Sequence, residues 1–116
     1  MTGTRTPLPG HPVRGSQTGR PIMALLDLLG RRWALRVVWE LREDAAPTFR
    51  ELQQRAGGIS SSVLTARLRE LTEAGIVRHS EDGGNGGYAL TPRGHDLLRC
   101  LLPLERWAAG WAQEAR

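Results

Sequence analysis

The sequence predicts a mainly α fold carrying one small β-hairpin, and three observations predict it. Two short helices with strong N-terminal caps stand close together, one from Thr48 and one from Ser60, with Gly57-Gly58 between them. A glycine-rich run, residues 82–87, separates two short apolar segments. Thr91-Pro92 then opens a last, strongly apolar helix.

Each element follows from its residues. Residues 1–19 are rich in Pro, Gly, Thr and Ser and lack apolar periodicity. They read as a disordered arm, basic through Arg5 and Arg14. Residues 20–116 read as the folded domain, with Pro21 suited to a first helical turn and Gly30 to its end. Apolar residues between about 31 and 44 cover more than one face, which predicts a helix buried on two sides. Pro47 breaks it. Thr48-Phe49-Arg50-Glu51 has the form of a capping box, opening a helix over 49–56. Ser60 is a second good N-cap, for a helix from about 61 to 74. Two helices joined by a tight glycine-containing turn form a helix-turn-helix.

The second of these helices is the candidate reader of DNA. Leu64, Leu68 and Leu71 form one apolar stripe, and the opposite face holds Ser62, Thr65, Ala66, Arg69 and Glu73. A helix in a major groove needs small residues for close approach, and hydroxyls and arginine for phosphates and base edges. Ile76–His79 and Tyr88–Leu90 read as strands joined by the 82–87 turn. A hairpin directly after a helix-turn-helix is the order of a winged helix. Thr91 then caps the final helix with Pro92 at its first position. Pro103 should kink that helix. Its apolar surface is too broad for one small domain to cover, which predicts pairing with a two-fold mate.

Bulk properties narrow the function. The chain has 116 residues, 40% hydrophobic and 24% charged, with a formal net charge of +4. That suits one globular domain. Every cation other than histidine is arginine. Arginine's planar fork pairs with phosphate and guanine. No apolar run approaches the ~20 residues of a membrane helix, and the start lacks a secretory core; both point to the cytoplasm and no membrane. The single cysteine, Cys100, excludes an intramolecular disulfide framework and a Cys-cluster metal site. No cofactor or metal is expected. His11, His79 and His95 have no partners at catalytic spacing, and no P-loop, zinc helix or nucleophile elbow is present. An enzyme is not expected.

The sequence resembles the HxlR-type branch of the MarR-like winged-helix regulators. The resemblance rests on Leu28–Trp33, Phe49–Leu52, Gly58–Ser60, Val63–Leu71, Gly75–Val77, Tyr88–Gly94 and Trp107, in order over about residues 20–112. It implies a homodimer that binds inverted repeats of double-stranded DNA, with terminal helices forming the dimer and the helix after Ser60 reading the groove. Many such proteins carry a sensing cysteine just before the first helix; here that position holds Arg20, so thiol sensing is not expected there. Ser62 and Ala66 are shorter than the usual residues, and the wing carries Glu81 and Asp82, which shifts weight towards shape readout.

The candidate DNA-binding residues are therefore Arg50, Ser61, Ser62, Thr65, Ala66, Arg67 and Arg69. An internal ion pair competes with phosphate for Arg67. The candidate dimer residues are Leu25, Leu101, Leu104, Trp107 and Trp111. Trp33, Trp39, Trp107 and Trp111 form either a dimer core or a pocket for a small aromatic effector. Cys100, set among leucines, is expected to be buried. The rival to a DNA-binding regulator is a protein-interaction or small-molecule-binding module on the same scaffold.

Overall fold

The computed structural model describes residues 5–43, 45–80 and 86–115. Among the described residues, six helices and one hairpin follow in the order α1 (Pro21–Leu29), α2 (Ala34–Glu40), α3 (Phe49–Ala56), α4 (Ser61–Glu73), β1 (Val77–Ser80), β2 (Gly87–Leu90), α5 (Pro92–Leu101) and α6 (Pro103–Glu114). This is the mainly α architecture with a small β-hairpin that the sequence predicts. Most of the expected wing turn, 81–85, lies outside the described residues, as do residues 1–4.

The core sits between α2, α3, α4 and the hairpin. Val37, Val38, Leu41, Leu52, Leu64, Leu71 and Val77 are its most completely buried large side chains. Burial of each such side chain contributes roughly 1.5–3 kcal/mol. Thr48 completes the capping box with Glu51, and the Ser60 hydroxyl accepts from the Val63 N–H. These caps fix where α3 and α4 begin.

The hairpin is antiparallel, pairing Val77 with Leu90 and Ser80 with Gly87. It is held at both ends. The Tyr88 N–H donates to the Pro47 carbonyl at 2.9 Å. A side chain at Gly87 would meet the Ala46 carbonyl oxygen at 2.0 Å, so that close approach requires glycine. At the other end the Thr91 hydroxyl donates to the Gly75 carbonyl and accepts from the Gly94 N–H. Gly94 lets the first turn of α5 lie on the start of the hairpin, because a Cβ there would stand 2.1 Å from the Ile76 carbonyl oxygen.

Three expectations are corrected. The segment read as a disordered arm over 1–19 is packed from residue 5 onward. Thr6, Pro7 and Gly19 are buried, the Arg14 N–H donates to the Asp27 carboxylate, and Val13 bridges Ser16. Composition missed this because the segment docks through backbone hydrogen bonds and prolines rather than through a periodic apolar face. The helix expected from about 31 spans only Ala34–Glu40, since Trp33 sits before it with φ 77 in the left-handed region. Cys100 is exposed: the buried positions of α5 are Gly94 and Leu98, and Cys100 falls off that line.

The helix assignment breaks at Leu102, which keeps a helical backbone, and α6 starts at Pro103, which has no N–H to continue the ladder. No residue of α6 is buried.

Candidate nucleic-acid interface

The helix α4 lies with Leu64, Leu68 and Leu71 against the core. Its outer face carries Ser61, Ser62, Thr65 and Arg69, all exposed. The Ser61 hydroxyl accepts from the Gln53 amide at 3.0 Å, and the same amide reaches the Ile59 carbonyl. Gln53 thereby ties the end of α3 to the start of α4 and sets the angle of the turn. Ser62 lies 3.3 Å from the Ser60 hydroxyl. Arg69 pairs with Glu73 at 3.3 Å across one exposed turn, 54% and 45% open respectively. A pair so exposed contributes little to stability, and its guanidinium is free to exchange a carboxylate for another anion.

Arg50 is exposed in the first turn of α3, near the free N–H groups that favour anions. Its neighbour Glu51 has its carboxyl held below the usual carboxylate range, first by the hydrogen bond from the Thr48 backbone.

Two expected contacts stand apart from this face. Arg67 is turned inward: its guanidinium pairs with Glu70 at 2.5 Å and donates to the Arg32 carbonyl at 2.7 Å. The internal ion pair weighed for it is what forms. Ala66 is half-buried at the edge of a cleft rather than on the open face. Glu70 was not among the expected functional residues, yet it is 2% exposed and holds both Arg31 and Arg67. Part of the signal was present in the sequence, since Arg67 stands three residues before Glu70; the Arg31 partner, 39 residues away, leaves none.

The tryptophans fall into two pairs. Trp33 and Trp39 pack against the core, and Arg42 lies 4.6 Å over the Trp39 ring. Trp107 and Trp111 stack on α6 at 5.6 Å and are 64% and 61% exposed. One chain does not bring the four together. Leu104 continues the exposed stripe of α6, while Leu101, at the end of α5, and Leu25, on α1, are half-buried.

A separate apolar cavity of about 320 Å³ lies between Pro7–Pro9, α1 and α5. It is lined by Leu25, Leu28, Leu97 and Cys100 among others, with Arg93 and Asp96 also in its lining. No helix among the described residues is long and apolar enough to cross a membrane.

Comparison with known proteins agrees with this architecture. The model of the HxlR-like helix-turn-helix family matches residues 28–116. An HTH-type transcriptional regulator of Halalkalibacterium halodurans is 31% identical over 90 residues, 75% of this chain and 80% of that protein. The HTH-type transcriptional regulator YvaP of Bacillus subtilis is 30% identical over 89 residues, 74% of this chain and 82% of its own length. Among solved structures, a possible HxlR family transcriptional factor from Thermoplasma volcanium superposes with a TM-score of 0.69 at 26% identity, covering 80% of this chain and 85% of that one. Quinone-bound YodB from Bacillus subtilis gives 0.66 at 28% identity, over 77% and 96%. With its capped helix pair, its hairpin and a family match over most of its length, the chain belongs to the HxlR-like helix-turn-helix family of transcriptional regulators.

Proposed function

We propose that the protein is a sequence-specific DNA-binding regulator, acting in the cytoplasm as a homodimer on an inverted-repeat operator. The observation that carries this reading is the face of α4: Ser61, Ser62, Thr65 and Arg69 stand open on a helix whose back is locked into the core. Small residues permit close approach to a major groove, and Arg69 supplies a bidentate donor for a base or phosphate. Arg50 adds a phosphate contact. The dimer is supported by α6, which exposes Leu104, Trp107 and Trp111 together; large clustered apolar side chains in water mark an interface. A two-fold dimer places two such helices on half-sites about one helical turn apart, or a multiple of it. A hydroxyl-radical footprint on the DNA upstream of the protein's own gene tests this. Two protected patches related by a two-fold axis support the reading; uniform cleavage across every promoter fragment offered overturns it.

The effector part of the reading is a small aromatic molecule in the apolar cavity between Pro7–Pro9, α1 and α5. Its support is the cavity's size and lining, together with the quinone bound by the related YodB. Release of the protein from its operator by small aromatics, abolished by a cavity-filling Leu97→Trp, is the expected result.

A further inference from the structure

A cleft of about 550 Å³ opens on the flank of α4, between the N-terminal segment, α1 and the turn before α2. Five arginines line it, Arg14, Arg31, Arg32, Arg67 and Arg69, against the two carboxylates Asp27 and Glu70. The charges do not cancel locally. Glu70 is shared by Arg31 and Arg67, and Asp27 accepts a backbone N–H from Arg14. The Arg14 and Arg32 guanidinium groups have no ion-pair partner among the described residues and are exposed.

The positions of these two arginines are built. Gly15, at φ +86, approaches α1 so closely that a Cβ there would meet the Met23 side chain at 2.5 Å. The Met23 contact is with the flexible end of that side chain; it is the Arg14 N–H on the Asp27 carboxylate that holds the segment along α1, with Arg14 in the cleft lining. Arg32 is held by its own carbonyl, which accepts from Arg67. Arg69 belongs both to this lining and to the exposed face of α4. The cleft is therefore continuous with the surface that would enter a major groove, and it carries surplus positive charge beside it.

We infer that this cleft is a phosphate site, occupied by the backbone of the DNA strand that borders the groove read by α4, with Arg14 and Arg32 as its ligands. The inference rests on the DNA-binding reading above and extends it to the N-terminal segment. A wide, open, arginine-lined cleft suits a backbone phosphate, which is bound by charge and fork geometry without a closed cage. Contacts of this kind set position and affinity but carry no sequence information.

The test is an anisotropy titration of the full chain against its upstream duplex and an unrelated duplex, from 50 to 300 mM salt (concentrations on the order used for counterion analysis). The variants are Arg14→Ala, Arg32→Ala and, as a control for net charge, Arg99→Ala on α5. All three side chains are exposed, so each variant should fold, and a circular-dichroism melt checks this. Each substitution is present in both protomers of the dimer, so each cleft variant is expected to reduce the slope of log affinity against log salt by about 1.8 and to weaken binding roughly 25- to 100-fold near 0.1 M salt. Both duplexes should be affected equally, while Arg99→Ala leaves the slope unchanged. If wild type binds with a clear salt slope and the cleft variants match Arg99→Ala, the inference is overturned while the DNA-binding reading stands. If wild type binds neither duplex, both fail. A small anion is the other source of a phosphate group. Stabilisation of wild type by pyrophosphate, lost in Arg32→Ala while the DNA slope stays fixed, would assign the cleft to a free anion and overturn the DNA-backbone assignment.

Discussion

The Glu70 carboxylate of α4 meets the Arg31 guanidinium at 2.5 Å across 39 residues of sequence, and its other oxygen meets Arg67 at the same distance. Arg31 also donates to the Arg5 carbonyl and Arg67 to the Arg32 carbonyl. One buried acid thus ties the flank of α4 to the turn between α1 and α2 and to the N-terminal segment. The orientation of α4 depends on that tie. Removing one partner of a buried charge cluster costs about 3–5 kcal/mol. The arginines retain some solvent, so Glu70→Ala is expected to destabilise by about 3 kcal/mol in urea denaturation, nearer the lower end of that range. Replacing Arg31, Glu70 and Arg67 together by Met, Leu and Met should recover most of the loss. A Glu70→Ala variant as stable as wild type would contradict the network's role.

A second prediction concerns Gly94. Its would-be Cβ faces the Ile76 carbonyl oxygen, a backbone atom fixed by the hydrogen bond from Thr91 N–H. Gly94→Ala must push α5 off the hairpin, and overpacking of this kind costs roughly 1–3 kcal/mol. A melting temperature unchanged in Gly94→Ala would show that the contact is softer than its geometry.

Glu51 sets a pH dependence. Its carboxyl is lowered by the hydrogen bonds of the capping box. A carboxylate with a lowered folded value contributes stability that is fully present above the ordinary carboxylate value and is lost as pH falls through the lowered one. Stability measured from neutral pH downward should therefore fall less steeply at acid pH in Glu51→Gln than in wild type. Parallel acid limbs in the two proteins would sink this account.

The stripe on α6 predicts the assembly. Leu104→Ala with Trp107→Ala removes side chains that touch solvent in the single chain. The pair should halve the mass seen by sedimentation while leaving the helical circular dichroism unchanged. A wild-type protein that sediments as a monomer at all concentrations, or a variant that remains dimeric, would show that α6 is not the dimer contact.

Much of this architecture was legible because it is local. The capping box at Thr48, the cap at Ser60 and the Thr91-Pro92 start each satisfy backbone groups within one turn, so short spacings reveal them. The exposed face of α4 followed from the Leu64, Leu68 and Leu71 stripe. What escaped was non-local. The Arg67–Glu70 pair is local and was open to expectation, but the Arg32 carbonyl that also receives Arg67 lies 35 residues away, and no spacing reports it. Trp33 takes a left-handed conformation that a bulky residue rarely adopts, which shortened the helix that follows. The N-terminal segment docks through Asp27 and the Arg5 carbonyl, neither of which leaves an apolar period to read.

If the open face of α4 reads DNA, removing Arg69 is felt on one duplex and not on another. The most direct measurement compares wild type with Arg69→Ala against the upstream duplex and an unrelated one at fixed salt. Loss of a good bidentate base contact costs about 1–3 kcal/mol. Arg69→Ala is expected to lose about five- to 150-fold per half-site on the upstream duplex alone, with a smaller, equal loss on both duplexes if Arg69 holds only phosphate. Wild-type protein that binds both duplexes equally, and an Arg69→Ala variant that changes neither, would contradict that reading.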